Sequence, residues 1–286
     1  MIGCMIWIHQ LYWSAIFTAG WVFLAGIVLM VLPRCGEGAR GFCEVLIRAP
    51  GLDVVLSLLT WVPWIVAWSI GGLGALVGSL VGGAVGMVIW CLVHELMHLS
   101  DWRGPRIVKS LNRIVGRLRN HAALWVTIIA LPGFFLVRLY EYAFYPLLVW
   151  LLGFPRYEMG EWVNVSRQKF SGLVGHDLVW CLYCDWMTGV YSLGAEMLRN
   201  VESFWCPIRF YDGKKCENCR QDFPDLENGW VPADGTMADV AKLIEEKYGE
   251  SPRPWFGHPA RLTVNGQPAV YSQPAGGGVD TQSTSP

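Results

Sequence analysis

The sequence predicts an α-helical integral membrane protein of about four to six membrane segments, with a small cysteine-containing polar region at its C-terminal end. Three observations carry that expectation. Trp7 to Leu32 contains no Asp, Glu, Lys or Arg. Val54 to Val93 is a second uncharged run, long enough for two crossings at 1.5 Å per residue and a hydrocarbon core of roughly 30 Å. Charged residues are 16% of the 286-residue chain and hydrophobic ones 53%, whereas soluble domains carry about 25% charged residues. The formal net charge of -1 excludes a generally basic nucleic-acid binder, so no nucleic-acid partner is expected.

Met1 to Gln10 has no basic stretch and the following apolar core is too long for a cleaved leader, so Trp7 to Leu32 reads as a retained anchor. Within the second run, Gly71-Gly72 is a turn between two crossings, and Pro63 is placed to kink the first of them. Gly74, Gly78, Gly82, Gly83 and Gly86 give the second crossing a bare face where another helix can pack closely. Ala122 to Val137 and Tyr142 to Pro155 are apolar, with Arg138 and Glu141 between them. They fit one long helix, or a hairpin turning near Pro132 or Pro146. A last apolar stretch, Leu178 to Leu198, contains Asp185 and Glu196.

Charge sets sidedness. Arg103, Arg106, Lys109, Arg113, Arg117 and Arg119 face one acid, Asp101, between residues 101 and 121. Such an excess places the loop in the cytoplasm, here of a bacterial inner membrane, with the N-terminus outside and the Arg34 to Arg48 loop also cytoplasmic. Arg106, Lys109, Arg113 and Arg117 share a helical face opposite Ile107, Leu111, Ile114, Val115 and Leu118, a pattern that lies on anionic headgroups. Residues 1–203 thus form a membrane domain and 204–273 a small polar domain. The Gly-, Ser- and Pro-rich 274–286 reads as a disordered tail. Ala238 to Tyr248 reads as a helix, and Arg261 to Val270 as a hairpin around Asn265-Gly266.

His94-Glu95-Leu96-Met97-His98 matches His-Glu-x-x-His at the end of an apolar run. On a helix, the two imidazoles share a face and can hold one Zn²⁺, while Glu95 takes a proton from the metal's water. A third ligand is needed. Glu141 is the first choice, His176 with Asp177 the second, and Asp185 and Glu196 follow.

The stretch His94 to Asp101 resembles the start of the membrane-anchored heat-shock-type zinc endopeptidases, whose motif is followed by a membrane hairpin and an Arg-x-x-Glu segment. Arg138-Leu139-Tyr140-Glu141 is similar to that segment. The resemblance implies that His94, His98 and Glu141 hold zinc and that Glu95 is the general base. It covers about a fifth of the chain, Ile89 to Ala143. Tyr145 stands where that family usually has Asp, and the spacing from His98 to Glu141 is short. The site-2 protease family shares the motif, but the Asp-Gly pairs here, at Asp212 and Asp234, fall in the polar tail.

Nine cysteines cannot all pair within the chain. Cys181, Cys184, Cys206, Cys216 and Cys219 include two Cys-x-x-Cys pairs. They fit a structural zinc site, disulfides, unpaired packing, or a redox or iron–sulfur centre. Dinucleotide, phosphate-loop and serine-hydrolase signatures are absent from the sequence.

Two functions remain. One is a membrane-embedded zinc metallopeptidase that cleaves membrane or membrane-proximal polypeptides. The other is a non-catalytic, metal-stabilised subunit of a larger membrane complex, in contact with lipid and other membrane subunits.

Overall fold

A computed structural model describes residues 2–220, 229–248, 263–264 and 267–268. It is mainly helical. The first uncharged run forms α1 (Ile2–Val31), and a polar stretch after it forms α2 (Glu37–Leu46). The second run forms α3 (Gly51–Leu59) and α4 (Trp61–Met97). Three runs are long and apolar enough to cross a membrane: Met5–Arg34, Gly51–Met97 and Arg117–Leu152.

The second of these doubles back. Gly72 has φ 58° and ψ -148°, a conformation essentially confined to glycine, and it breaks α4 into two legs as the Gly71-Gly72 pair predicts. Contacts with α1 give the directions. The Trp21 indole donates to the Leu58 carbonyl (2.7 Å), and Gly71 lies against Gln10, so the first leg runs antiparallel to α1. Gly74 meets Trp7, Gly78 meets Leu11, Gly82 meets Ala15 and Gly86 meets Ala19, so the second leg runs parallel to it. Both ends of the hairpin therefore lie at the C-terminal end of α1.

The bare glycine face is real. A Cβ on Gly78 would stand 2.2 Å from the Leu11 carbonyl oxygen, and one on Gly82 would stand 2.2 Å from that of Ala15. Backbones this close allow short polar links that apolar surroundings strengthen. Thr18 and Ser79 hydroxyls bond at 2.9 Å, and Ser14 donates to the Ala75 carbonyl at 2.7 Å. Gly83, one position off this face, has only Thr18 at 3.9 Å.

The basic segment forms α5 (Leu99–Arg103), α6 (Ile107–Val115) and α7 (Arg117–Thr127). α6 is strongly amphipathic, with Ile107, Ile114 and Val115 exposed. The expected four-base face is corrected on two counts. Gly116, at φ +89°, ends α6 before Arg117. Arg106 does not point outward with Lys109 and Arg113; it is buried in an ion pair.

The third run is continuously helical: α7, a 3₁₀ turn at Ile128–Ala130, α8 (Leu131–Leu139), a π turn at Tyr140–Phe144, and α9 (Tyr145–Leu152). It does not reverse at Pro132 or Pro146. Pro132 sits in the first turn of α8, where a missing N–H costs nothing, and the π turn precedes Pro146, whose ring would crowd the Tyr142 carbonyl in an α-helix. His121, near its start, meets His176 beside the Glu95 end of the hairpin. Arg138 bonds Asp53, at the other end of the same hairpin. The part from His121 to Arg138 thus runs between two points at one end of the three legs.

Two compact bodies divide the chain. One is Met1–Phe144 with Met159–Ala195; the other is Tyr145–Glu158 with Glu196–Pro286. The first contains α10 (Met159–Trp162) and most of α11 (Gly175–Trp205). Phe134 is the centre of an aromatic cluster there with Tyr183, Trp186 and Tyr191. In the second body, Tyr145, Phe154 and Tyr157 pack together, and the buried Asn200 amide donates to the Tyr145 hydroxyl at 3.0 Å. That body also contains α12 (Gly213–Arg220) and α13 (Met237–Tyr248). A capping box opens α13: Thr236 N–H donates to Asp239 (2.8 Å) and Asp239 N–H returns to the Thr236 hydroxyl (3.3 Å). Those bonds from Thr236 hold the Asp239 carboxyl below its ordinary range. The expected hairpin pairs Thr263 with Pro268 and Val264 with Gln267 as strands β1 and β2. Its turn and the 274–286 tail lie outside the described residues.

Candidate functional site

The His-Glu-x-x-His segment sits at the C-terminal end of α4. His94 is buried, and His98 is the residue that ends the helix, at φ -122° and ψ 52°. The two imidazoles stack with centroids 4.4 Å apart and planes 22° apart. His98 Nδ1 lies 2.9 Å from the His94 carbonyl oxygen. A carbonyl only accepts, so this nitrogen carries the proton and Nε2 keeps the lone pair. His94 is the reverse. Its Nδ1 accepts from the Gly175 N–H at 3.1 Å, so its proton is on Nε2.

Glu95 is also engaged. Its Oε1 accepts from the Arg106 guanidinium at 2.7 Å and from the His176 N–H at 3.1 Å. Arg106 reaches Asp177 at 3.0 Å and the Val174 carbonyl at 3.3 Å, and Asp177 Oδ1 accepts from the Val108 N–H at 3.1 Å. Burial alone would raise the Asp177 carboxyl. The His176 ring, the Arg106 guanidinium and the Val108 amide outweigh it and hold Asp177 below the usual carboxylate range.

These contacts have one purpose in common. Gly175 and His176 begin α11, and the first N–H groups of any helix lack partners inside it. His94 and Glu95 supply acceptors from α4, and the Glu95 charge faces the positive end of the helix dipole. Gly175 makes the approach feasible. It has φ +48°, and a Cβ there would stand 2.2 Å from Glu95 Cγ and 2.6 Å from the Cys91 carbonyl oxygen.

The donor set does not fit a zinc ion held as the resemblance implies. His94 Nε2 is protonated while Nδ1 is bonded to Gly175, so neither nitrogen is free to ligate. One Glu95 oxygen, Oε1, is tied to the Arg106 guanidinium and the His176 N–H. The buried Glu141 carboxylate bonds Arg138, which also reaches Asp53 (2.6 Å) and the Tyr142 hydroxyl (2.8 Å). Glu141 therefore belongs to a cluster at the Asp53 end of the hairpin. Among the described residues, no three His, Cys, Asp or Glu groups are placed to hold one metal ion.

The other sequence choices are dispersed. The His176 ring accepts from the Trp180 indole at 3.0 Å, which leaves its proton on Nδ1, 3.7 Å from Asp177. Asp185 caps the chain at Ser166 and Arg167 (2.9 and 3.0 Å) and pairs with the Arg167 guanidinium at 2.8 Å. Glu196 accepts from Tyr157 at 3.3 Å in the second body. Cys181 and Cys184 lie on α11 within the first body, where both are free thiols, and burial raises Cys181 above the ordinary thiol range. Cys206 and Cys216, also free, belong to the second body, and Cys216 Sγ accepts from the Phe210 N–H at 3.2 Å. The Cys219 side chain lies outside the described residues.

Sequence reasoning missed Arg106, Asp177 in its actual role, and Gly175. The clue for Arg106 was weak: its neighbours at helical spacing are outward bases. A cavity of about 390 Å³ opens beside Glu95 and Arg106. No protein-family model, curated protein or solved structure matches this chain.

Proposed function

We propose that this chain is a non-catalytic structural protein of the membrane, in which His-Glu-x-x-His is a latch between α4 and α11. One observation carries the reading: His94 Nδ1 and Glu95 Oε1 accept from the first N–H groups of α11, and Glu95 Oε1 also from Arg106. Three legs cross the bilayer. The α7–α8 rod lies along the end that carries the bases, and that end faces the cytoplasm. The N-terminus, at the opposite end of α1, lies outside. The direction of the glycine-packed legs supports this path.

The peptidase reading has the motif and the adjoining cavity in its favour. It requires Arg106 and Gly175 to release Glu95 and His94. Glu95→Gln separates the two. The latch predicts a large loss of thermal stability in detergent, with no zinc in the wild type. A peptidase predicts stability unchanged, one zinc per chain lost in His94→Ala, and turnover abolished. A fully stable Glu95→Gln protein containing zinc would refute the structural reading.

A further inference from the structure

We propose that the cavity beside the latch holds an anionic phospholipid, with its phosphate at Lys109 and Arg117 and an acyl segment along the apolar wall. This inference rests on the membrane reading above. The cavity, about 390 Å³, is within the range of small-molecule sites. Val88 and Leu92 of α4 form one wall, and Trp125, Val179 and Trp180 another.

The charge at its rim is uncompensated. Lys109 Nζ is held by two carbonyl oxygens, Trp102 at 2.6 Å and Gly104 at 3.3 Å, and lies 5.6 Å from the Trp102 ring centroid. Carbonyls fix the ammonium in place without neutralising it. Among the described residues, no carboxylate pairs with Lys109, Arg113 or Arg117. Deeper in, Arg106 is already matched by Glu95 and Asp177, so the free positive charge is confined to the mouth.

An apolar slot with cations only at its mouth suits a molecule with one anionic end and one hydrocarbon end. Position selects the source. The α4 wall belongs to a membrane-length leg, while the mouth adjoins α6, whose exposed Ile107 and Ile114 suit the boundary between headgroups and acyl chains. A free phosphate would use the rim and leave the wall unexplained.

Native mass spectrometry of the full chain in detergent tests this, with phosphatidylglycerol, phosphatidylcholine and inorganic phosphate as separate probes. One phosphatidylglycerol should stay bound, and phosphatidylcholine should bind at least about tenfold more weakly. Lys109→Gln with Arg117→Gln should weaken phosphatidylglycerol about 30-fold, since each base near a lipid surface contributes several-fold. Val179→Trp, which fills the slot, should abolish retention while circular dichroism stays unchanged. Equal binding of phosphatidylcholine, displacement by inorganic phosphate at equal concentration, or retention in a folded Val179→Trp protein would each overturn the proposal. Extraction from vesicles by alkaline carbonate would instead overturn the membrane reading itself, so the two failures are distinguishable.

Discussion

Gly82→Ala should destabilise the protein although it adds the best helix former to a helix interior. The new Cβ would stand 2.2 Å from the Ala15 carbonyl oxygen and 2.8 Å from its Cα, where ordinary contact begins at 3.4 Å. Both neighbours are backbone, so no side chain can swing aside. α1 and α4 must separate by roughly 1 Å, which also stretches the Thr18–Ser79 bond of 2.9 Å. Overpacking of this kind costs about 1–3 kcal/mol, against about 1 kcal/mol gained from helix propensity. Gly83→Ala is the control. Its Cβ would meet only a methyl at 3.9 Å, so propensity acts almost alone and the change should be neutral or mildly stabilising. Thermal unfolding followed by circular dichroism in one detergent reads both variants. A Gly82→Ala protein as stable as Gly83→Ala would refute the close-packed parallel pairing of α1 with the second leg.

Three further outcomes are expected. Arg106→Met should cost about 3–5 kcal/mol in denaturant unfolding, because it leaves the buried Asp177 and half-buried Glu95 carboxylates without the cation they share; restoration of stability by adding Asp177→Asn would confirm the pairing. Asp177 has a depressed carboxyl pKa, so its stabilisation is complete above the ordinary carboxylate range and fades as pH falls through and below it. Melting temperature should decline there more steeply in the wild type than in Asp177→Asn, and parallel curves would refute the assignment. Thr236→Ala removes the cap of α13, and amide exchange in its first turn should quicken roughly fivefold with no change in α4.

The long apolar legs were legible because their signals are local. An uncharged run of sufficient length is long and apolar enough to cross a membrane, and glycines four apart on a helix share a face, whatever the rest of the chain does. Gly72 was legible for the same reason, since a Gly-Gly pair midway in a run too long for one crossing marks where it turns. The third run was ambiguous because a proline can break a helix or be absorbed beside a π turn, and composition does not choose.

The functional site was legible only as a list of reactive residues. The sequence by itself determined a mainly helical chain with runs long and apolar enough to cross a membrane, its glycine-packed hairpin, its basic segment and the gathering of His94, Glu95 and His98 at the end of α4. Only the tertiary structure decided what those residues face. Gly175 and His176 lie about eighty positions along the chain, and Asp177 bonds Arg106 across 71. A hydrogen bond to an imidazole nitrogen fixes which lone pair remains, and a guanidinium at 2.7 Å fixes which charge a carboxylate faces. Neither partner leaves a mark at the motif's own positions, because side-chain chemistry depends on neighbours in space that linear spacing does not encode.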